Sequence, residues 1–513
     1  MIYLLPRLKR MSSILTISKR YKQTLYLGLG SFLLFSCSGK IEENKAVESI
    51  SSEFSTPISR DFDQIKEEGV LRMITRYSSG SYFLDHGIQA GFEYEFIQAF
   101  AKSHGLSVEV IIPAPNQSPI ELLNNGKGDI IADNLTINEE RSKWLRFSRS
   151  YNKVNQVVVV SSALGYTPYQ VNELKGIPIT IQKNSSYYPV LLRLMDMGWN
   201  LELNVIEEER STESILMDLA RGEVLATVAD DHILQASKKY IRGLIEGPVL
   251  TQNDEIAWAL RTNAPILETQ VNSFLSQHMW MDEYGTPKRS EFLNVLRKKY
   301  FEGSRQMADY FNPVKDQQKM GALSPYDSLM QQVAAEFGMD WVMLTAVAAQ
   351  ESKFDSEVVS WAGAVGIMQV IPKYSEQTAD SLLIPEINIR EGARILSEHI
   401  QHYSYMDSLE SWSFALASYN AGAGHIADAR RIAMDHNKDP NKWADVSPSL
   451  LKKMEPKYYE QTRHGYARGI ETVQYVQNIL NRYNTYKAII VLSQESRPEP
   501  KGILGFNNLK IAG

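Results

Sequence analysis

The 513 residues carry 54 Lys and Arg against 60 Asp and Glu, a formal net charge of −6, and no basic stripe interleaved with aromatics, which excludes the footprint a nucleic-acid backbone requires. The length exceeds what one hydrophobic core organises, so two or more domains are expected. A single cysteine leaves no intrachain disulfide and no zinc cluster.

The chain opens on an export signature. Lys19, Arg20 and Lys22 precede an apolar stretch that ends Ser31, Phe32, Leu33, Leu34, Phe35 and Ser36, just before Cys37. A basic segment, a short apolar core and a small residue before the cut describe a secretory signal over residues 1–36, too short to span comfortably as a mature anchor. The cysteine makes the segment resemble a lipoprotein signal. That implies an acylated Cys37 at the mature N-terminus and a tether to a membrane facing the periplasm, the outer membrane being the expected one. Phe35 departs from the small residue commoner at that position, so a cleaved soluble signal and an uncleaved anchor stay open, and Met11 is a second candidate start. Residues 37–60, rich in Ser, Glu and Lys, read as a solvated tether.

From Asp61 short β-rich runs alternate with helical ones: VLRMITRY from Val70, GFEYEFIQAFAKSHG from Gly91, SVEVIIP from Ser107 and IELLNNGKGDIIAD from Ile120. Strand, helix, strand is an α/β signature. With Gly91, Phe92 and Glu93, the segment 126–130, the phrase Leu135 to Arg141, then Phe147, Ser148 and Tyr151, residues 61–300 resemble the periplasmic solute-binding proteins of the amino-acid-binding type. The resemblance implies two lobes joined by crossing strands, with lobe one formed by Asp61 to about Ser150 plus a return near Ala257 to Tyr300. It also implies that Arg141 clamps a ligand carboxylate, for which a planar guanidinium suits bidentate pairing, and that Asp230 meets an α-amine. Pairing of Arg141 with Glu139 or Glu140 and a role for Asp231 in place of Asp230 remain alternatives. The ligand is left open between a free amino acid and a cell-wall peptide fragment.

Residues 301–324, with Gly303, Pro313 and several charges, read as a connector. The next zone, 325–493, is helical. SLMQQVAAEFG, GARILSEHI and SWSFALASYNAGAG carry apolar residues at helical spacing and end at or near glycine or a break in the pattern. Trp341 to Gln350, without proline or glycine, reads as a buried helix that delivers Glu351 near its C-terminal end. Gly363 and Gly366 bracket Ala364 and Val365 in a turn, with Gln369 facing the same space. Residues 494–513 read as a tail.

Several ordered blocks follow one another here. They are Glu351, Ser352 and Phe354; Ser360 with the run Gly363 to Pro372; Asn388, Ile389 and Gly392; Ala417 with Tyr419 to Gly422; and Glu471, Thr472, Tyr475 and Val476. In this order they resemble the soluble-type lytic transglycosylases, whose domain is an all-α, goose-type lysozyme-like fold that cleaves peptidoglycan glycan strands. The fold expected for the whole is therefore a two-lobed α/β periplasmic-binding-protein-like domain followed by that helical domain.

Most glycoside hydrolases use two carboxylates, whereas the motif supplies one. A substrate N-acetyl oxygen can replace the protein nucleophile, and Glu351 must then start protonated. Burial among Val347, Ala348 and Phe354 would raise its pKa to suit that task. The family resemblance further implies that the bond cleaved is the β-1,4 link between MurNAc and GlcNAc, and that the same group next deprotonates the C6 hydroxyl of the N-acetylmuramic acid, leaving a 1,6-anhydroMurNAc end. It implies that Ser360 hydrogen-bonds the sugar, Gln369 contacts the glycan, and Tyr419 with Asn420 holds the N-acetyl group. Glu471 and Tyr475, four apart on a helix, can reach one cleft, although bracing is an equal role for Glu471. A lysozyme-type hydrolase and a receptor with a degenerate catalytic domain are the competing readings. No cofactor or metal is called for: HExxH spacing, a GK[ST] ending and a GxSxG elbow are all missing.

Overall fold

The computed structural model describes residues 57–114, 117–207, 210–302 and 321–495. The signal, Cys37, most of the tether, most of the connector and all but the start of the expected tail lie outside them. The structure departs from the expected start of the tail, since the last helix continues through Glu495.

Asp61 caps the helix Phe62–Glu68 with a reciprocal side-chain box, and Gly69 ends it in the left-handed region at φ 71°. Lobe one then contains β1 (Val70–Ile74), the hairpin β2 (Phe83–Asp85) and β3 (Ile88–Ala90), β4 (Ser107–Ile111), β5 (Ile130–Ile131) and β6 (Arg146–Phe147). Lobe two contains β7 (Asn152–Ser161), β8 (Pro178–Gln182), β9 (Glu202–Ile206), β10 (Ala226–Asp230) and β11 (Leu244–Ile256). The chain returns as β12 (Ala259–Leu260) and closes the module with the small hairpin β13 (Met279–Met281) and β14 (Pro287–Arg289). The sheet orders are β4-β1-β5-β12-β6 and β11-β7-β10-β8-β9. β1 pairs in parallel with β4 and β5, whereas β12 lies antiparallel to β5 and β6. The long antiparallel pair β7 and β11 leads from one lobe into the other. Buried apolar runs such as Val157 to Val160 on β7 give the second sheet two covered faces.

Beyond residue 320 the described chain is helical, from Asp327–Glu336 and Trp341–Glu351 through Pro385–His402, Ser408–Ala421, Ala423–Asp435 and Trp443–Lys452 to the 27-residue closing helix Gly469–Glu495. That helix is about 40 Å long. It packs against the Glu351 helix at its start and against β4 of the binding module further on. Thr485 Oγ1 donates to the Val110 carbonyl at 3.0 Å and Tyr486 OH to the Gly87 carbonyl at 2.7 Å. One contiguous apolar core therefore joins Leu71, Phe96 and Trp258 of lobe one to Val347, Ile367 and Tyr486, while lobe two keeps clusters of its own. The C-terminal helices are thus built onto lobe one rather than onto lobe two.

Gly87 is the tightest point of that junction. It turns the β2–β3 hairpin at φ 88°, and a Cβ there would overlap the Leu323 carbonyl and the Phe354 ring. Gly87→Ala should lower stability by about 1–3 kcal/mol through overpacking and the left-handed backbone. Urea unfolding of the full chain checks this, and an unchanged midpoint would mean that the junction yields freely.

Candidate functional site

The acid helix begins with Asp340, whose side chain accepts from Val342 N at 2.9 Å and from Tyr483 OH at 2.7 Å. Residues 342 to 349 are buried on every face of the helix, so it is fixed by packing rather than by an amphipathic stripe. Glu351 ends it. Ser352 Oγ donates to the Ile367 carbonyl at 2.8 Å, and Lys353 and Phe354 both adopt positive φ, 56° and 66°, which turns the chain sharply away. Phe354 is buried against Gly87, which secures that turn.

Tyr475 OH, from the closing helix, donates to Glu351 Oε1 at 2.5 Å. Burial pushes the Glu351 carboxyl up to about 7, and only the Tyr475 hydrogen bond pulls the other way. No second carboxylate figures among the causes, and Asp355 and Glu357 are exposed. Burial, then the negative charge of Glu351, holds the Tyr475 phenol well above its usual range, so it remains a donor.

The glycine turn faces this pair. Gly366, at φ 73°, approaches Asn388 and the Leu382 carbonyl so closely that a Cβ would meet both at 2.6 Å. Asn388 is fully buried; it accepts from Met368 N at 2.7 Å and donates to the Val365 and Leu382 carbonyls at 2.8 and 2.7 Å. A Cβ on Gly392 would meet Met368 Cβ at 2.5 Å. The block Asn388, Ile389 and Gly392 is therefore a brace for the turn, a role that its residue types alone do not reveal.

The remaining expected residues divide into those turned to the turn and those turned to solvent. Ser360 Oγ accepts from Ala364 N at 3.0 Å, and Gln369 donates to the Val358 and Gly366 carbonyls at 3.2 and 2.9 Å. Tyr419 OH donates to the Met368 carbonyl at 2.8 Å, and the exposed Asn420 accepts through Oδ1 from Thr472 Oγ1 at 2.9 Å. Glu471 faces solvent, its side chain 60% exposed and paired with Arg468 at 3.2 Å, whereas Thr472 and Tyr475 of the same helix turn inward.

A second site lies between the lobes, a cleft lined by Arg76, Ser78, Asp133, Arg141, Tyr187 and Asp230 among others. Arg141 donates to the Thr136 and Asn184 carbonyls at 3.0 and 3.3 Å, one on each side of the cleft. Asp230, 2% exposed, is pushed up to about 8 by burial and then by Asp254 and Asp231, with Arg141 opposing. Its Oδ1 has no hydrogen-bond partner. Asp231 is engaged elsewhere, accepting from Asn155 and from His232 N. An unsatisfied buried carboxyl opposite a guanidinium suits a ligand with an ammonium and a carboxylate on one carbon. Glu93 braces the cleft from below, taking Trp258 Nε1 at 2.8 Å and Asn134 N at 3.0 Å.

Glu351→Gln should abolish turnover, at least a 10²-fold loss as expected for a missing general acid, and it should alter stability with a definite sign. A carboxyl raised in the fold from 4.5 to about 7 binds more protons than the unfolded chain between those values, so stability falls as pH rises through that window. The Gln variant escapes this loss: it should match wild type near pH 4 and exceed it at pH 8 by on the order of 3 kcal/mol. Tyr475→Phe should move the alkaline limb of the rate profile upward, since it removes the one bond that favours the charged form. Denaturant titrations and pH–rate curves check both.

Residues 328–442 match the Transglycosylase SLT domain, and residues 52–294 match the bacterial extracellular solute-binding proteins, family 3. The closing helix that brings Tyr475 lies past the first of these segments. A membrane-bound lytic murein transglycosylase F of Pseudoalteromonas translucida is 34% identical over 448 residues, covering 86% of this chain and 91% of that protein. The proteins of the same name from Aliivibrio fischeri and Shewanella loihica are 32% and 31% identical, over 84% of this chain and 85% and 88% of theirs. The chain belongs to the membrane-bound lytic murein transglycosylase F family.

Proposed function

We propose that the chain is a peptidoglycan lytic transglycosylase in which Glu351 is the single acid and base. The observation that carries this reading is the buried carboxyl held near neutrality against Tyr475. The protonated Glu351 gives its proton to the bridging oxygen of the β-1,4 bond between MurNAc and GlcNAc, so GlcNAc leaves as an alcohol. The neighbouring N-acetyl oxygen bonds to the anomeric carbon in its place. Glu351, now a carboxylate, takes the proton of the C6 hydroxyl, O6 displaces the N-acetyl oxygen, and a 1,6-anhydro ring closes without consuming water. Asn420 and Ser360 orient the sugar in this reading, which accounts for part of the rate by positioning.

The binding module takes an amino acid or a muropeptide between Arg141 and Asp230, and this adjusts the acid site. Arg76, Ser78 and Ser81 line the cleft, and their segment runs into the β2–β3 hairpin, whose Gly87 touches Phe354 and takes the Tyr486 hydrogen bond. A ligand that differentially favours one lobe arrangement thereby biases the Glu351 end of its helix. The chain works in the cell envelope, facing the periplasm, held at the outer membrane through a lipid on Cys37. Among the described residues no helix is long and apolar enough to cross a membrane.

Peptidoglycan digested by the full chain should release fragments ending in 1,6-anhydroMurNAc, read by mass spectrometry; reducing ends would make the enzyme a hydrolase. Added muropeptide should change the rate, and Asp230→Ala should remove both that response and calorimetric binding. An unchanged rate together with no binding by wild type would sink the regulatory reading. Cys37→Ser should shift the chain from the membrane to the soluble fraction, whereas retention at the membrane would argue for another anchor.

A further inference from the structure

Three contacts tie the first turns of the closing helix to the rest of the site. Tyr475 reaches Glu351, Thr472 reaches Asn420, and the Arg468 guanidinium lies 5.9 Å from the centre of the Trp361 ring. The third differs from the others because it is made in solvent. Trp361 is 90% exposed at the tip of the glycine turn, between Ser360 and Gly363, and the Arg468 and Glu471 side chains are 58% and 60% exposed. Ile470 and Tyr466 are half exposed beside them in sequence.

An indole left this bare holds no part of the fold together, and its apolar face is open to a partner of matching shape. The ion pair between Arg468 and Glu471 is exposed and worth little to stability, so another carboxylate displaces Glu471 at small cost. Arg468 immediately precedes the helix and lies about 10 Å along its axis from Tyr475, a separation that suits contact with a part of the strand other than the sugar that meets Glu351. We propose that Trp361 and Arg468 form an accessory subsite for the peptide-bearing face of the glycan strand: the indole takes the C–H face of a sugar ring, and the guanidinium takes a stem-peptide carboxylate. This rests on the transglycosylase reading above and adds a reason for the enzyme to prefer peptide-bearing strands with free carboxylates.

The test uses the full chain on glycan strands carrying stem peptides, beside the same strands with their peptide carboxylates capped as amides. Wild type should favour the free acids in kcat/KM by about tenfold, the scale of one charge-assisted hydrogen bond, and Arg468→Ala should bring that ratio to about one while Arg468→Lys keeps part of it. In a Glu351→Gln background, strand binding should quench indole fluorescence, and Trp361→Phe should remove that quench. A ratio retained by Arg468→Ala, or a quench retained by Trp361→Phe, overturns the subsite. No turnover by wild type on either strand would instead remove the transglycosylase reading, and the quench would still decide whether Trp361 binds glycan.

Discussion

The hydrogen bond from Tyr475 to Glu351 is the contact on which the site depends. It joins the end of a wholly buried helix to the start of the closing helix, and it offers a buried carboxyl one partner in place of water. A charged glutamate there would be costly, so the group stays protonated to about 7. One interaction thus both positions the acid and limits how far its pKa climbs. The closing helix then carries the same constraint to the binding module through Thr485 and Tyr486.

Much of the surrounding polar chemistry serves rigidity. Ser360, Gln369, Asn388 and Tyr419 converge on the backbone of residues 358–368, adding to the turn's own backbone bonds, among them the reciprocal pair between Val365 and Val370. That arrangement gives the turn a fixed shape opposite Glu351, which pre-organises the site without a second carboxylate. Lobe two is built around apolar clusters of its own and takes no part in bracing the turn.

The fold class and the buried helix that ends at Glu351 were legible because each is carried by local pattern: alternating strand and helix segments from Asp61, an unbroken apolar run before Glu351, and ordered motif blocks that persist to Tyr475. What the chain order hides is which way a motif residue turns. Glu471 and Tyr475 share a helical face by spacing, yet Arg468 draws Glu471 into solvent while Thr472 and Tyr475 turn inward. The junction at Gly87 was equally hidden, since Tyr486 reaches it from 399 residues away and a hairpin glycine reads as an ordinary turn. Hidden too were the different surroundings of the neighbours Asp230 and Asp231: the first has a buried oxygen left unsatisfied, and the second accepts from Asn155 and His232 N.

The account turns on Glu351 being protonated near neutral pH, and the direct measurement is its titration in the full chain. Infrared difference spectra between wild type and Glu351→Gln isolate the one carboxyl stretch as pH is varied. A midpoint near 7 is the predicted result; a midpoint near the ordinary 4.5 would contradict it and leave the chain without a competent single acid.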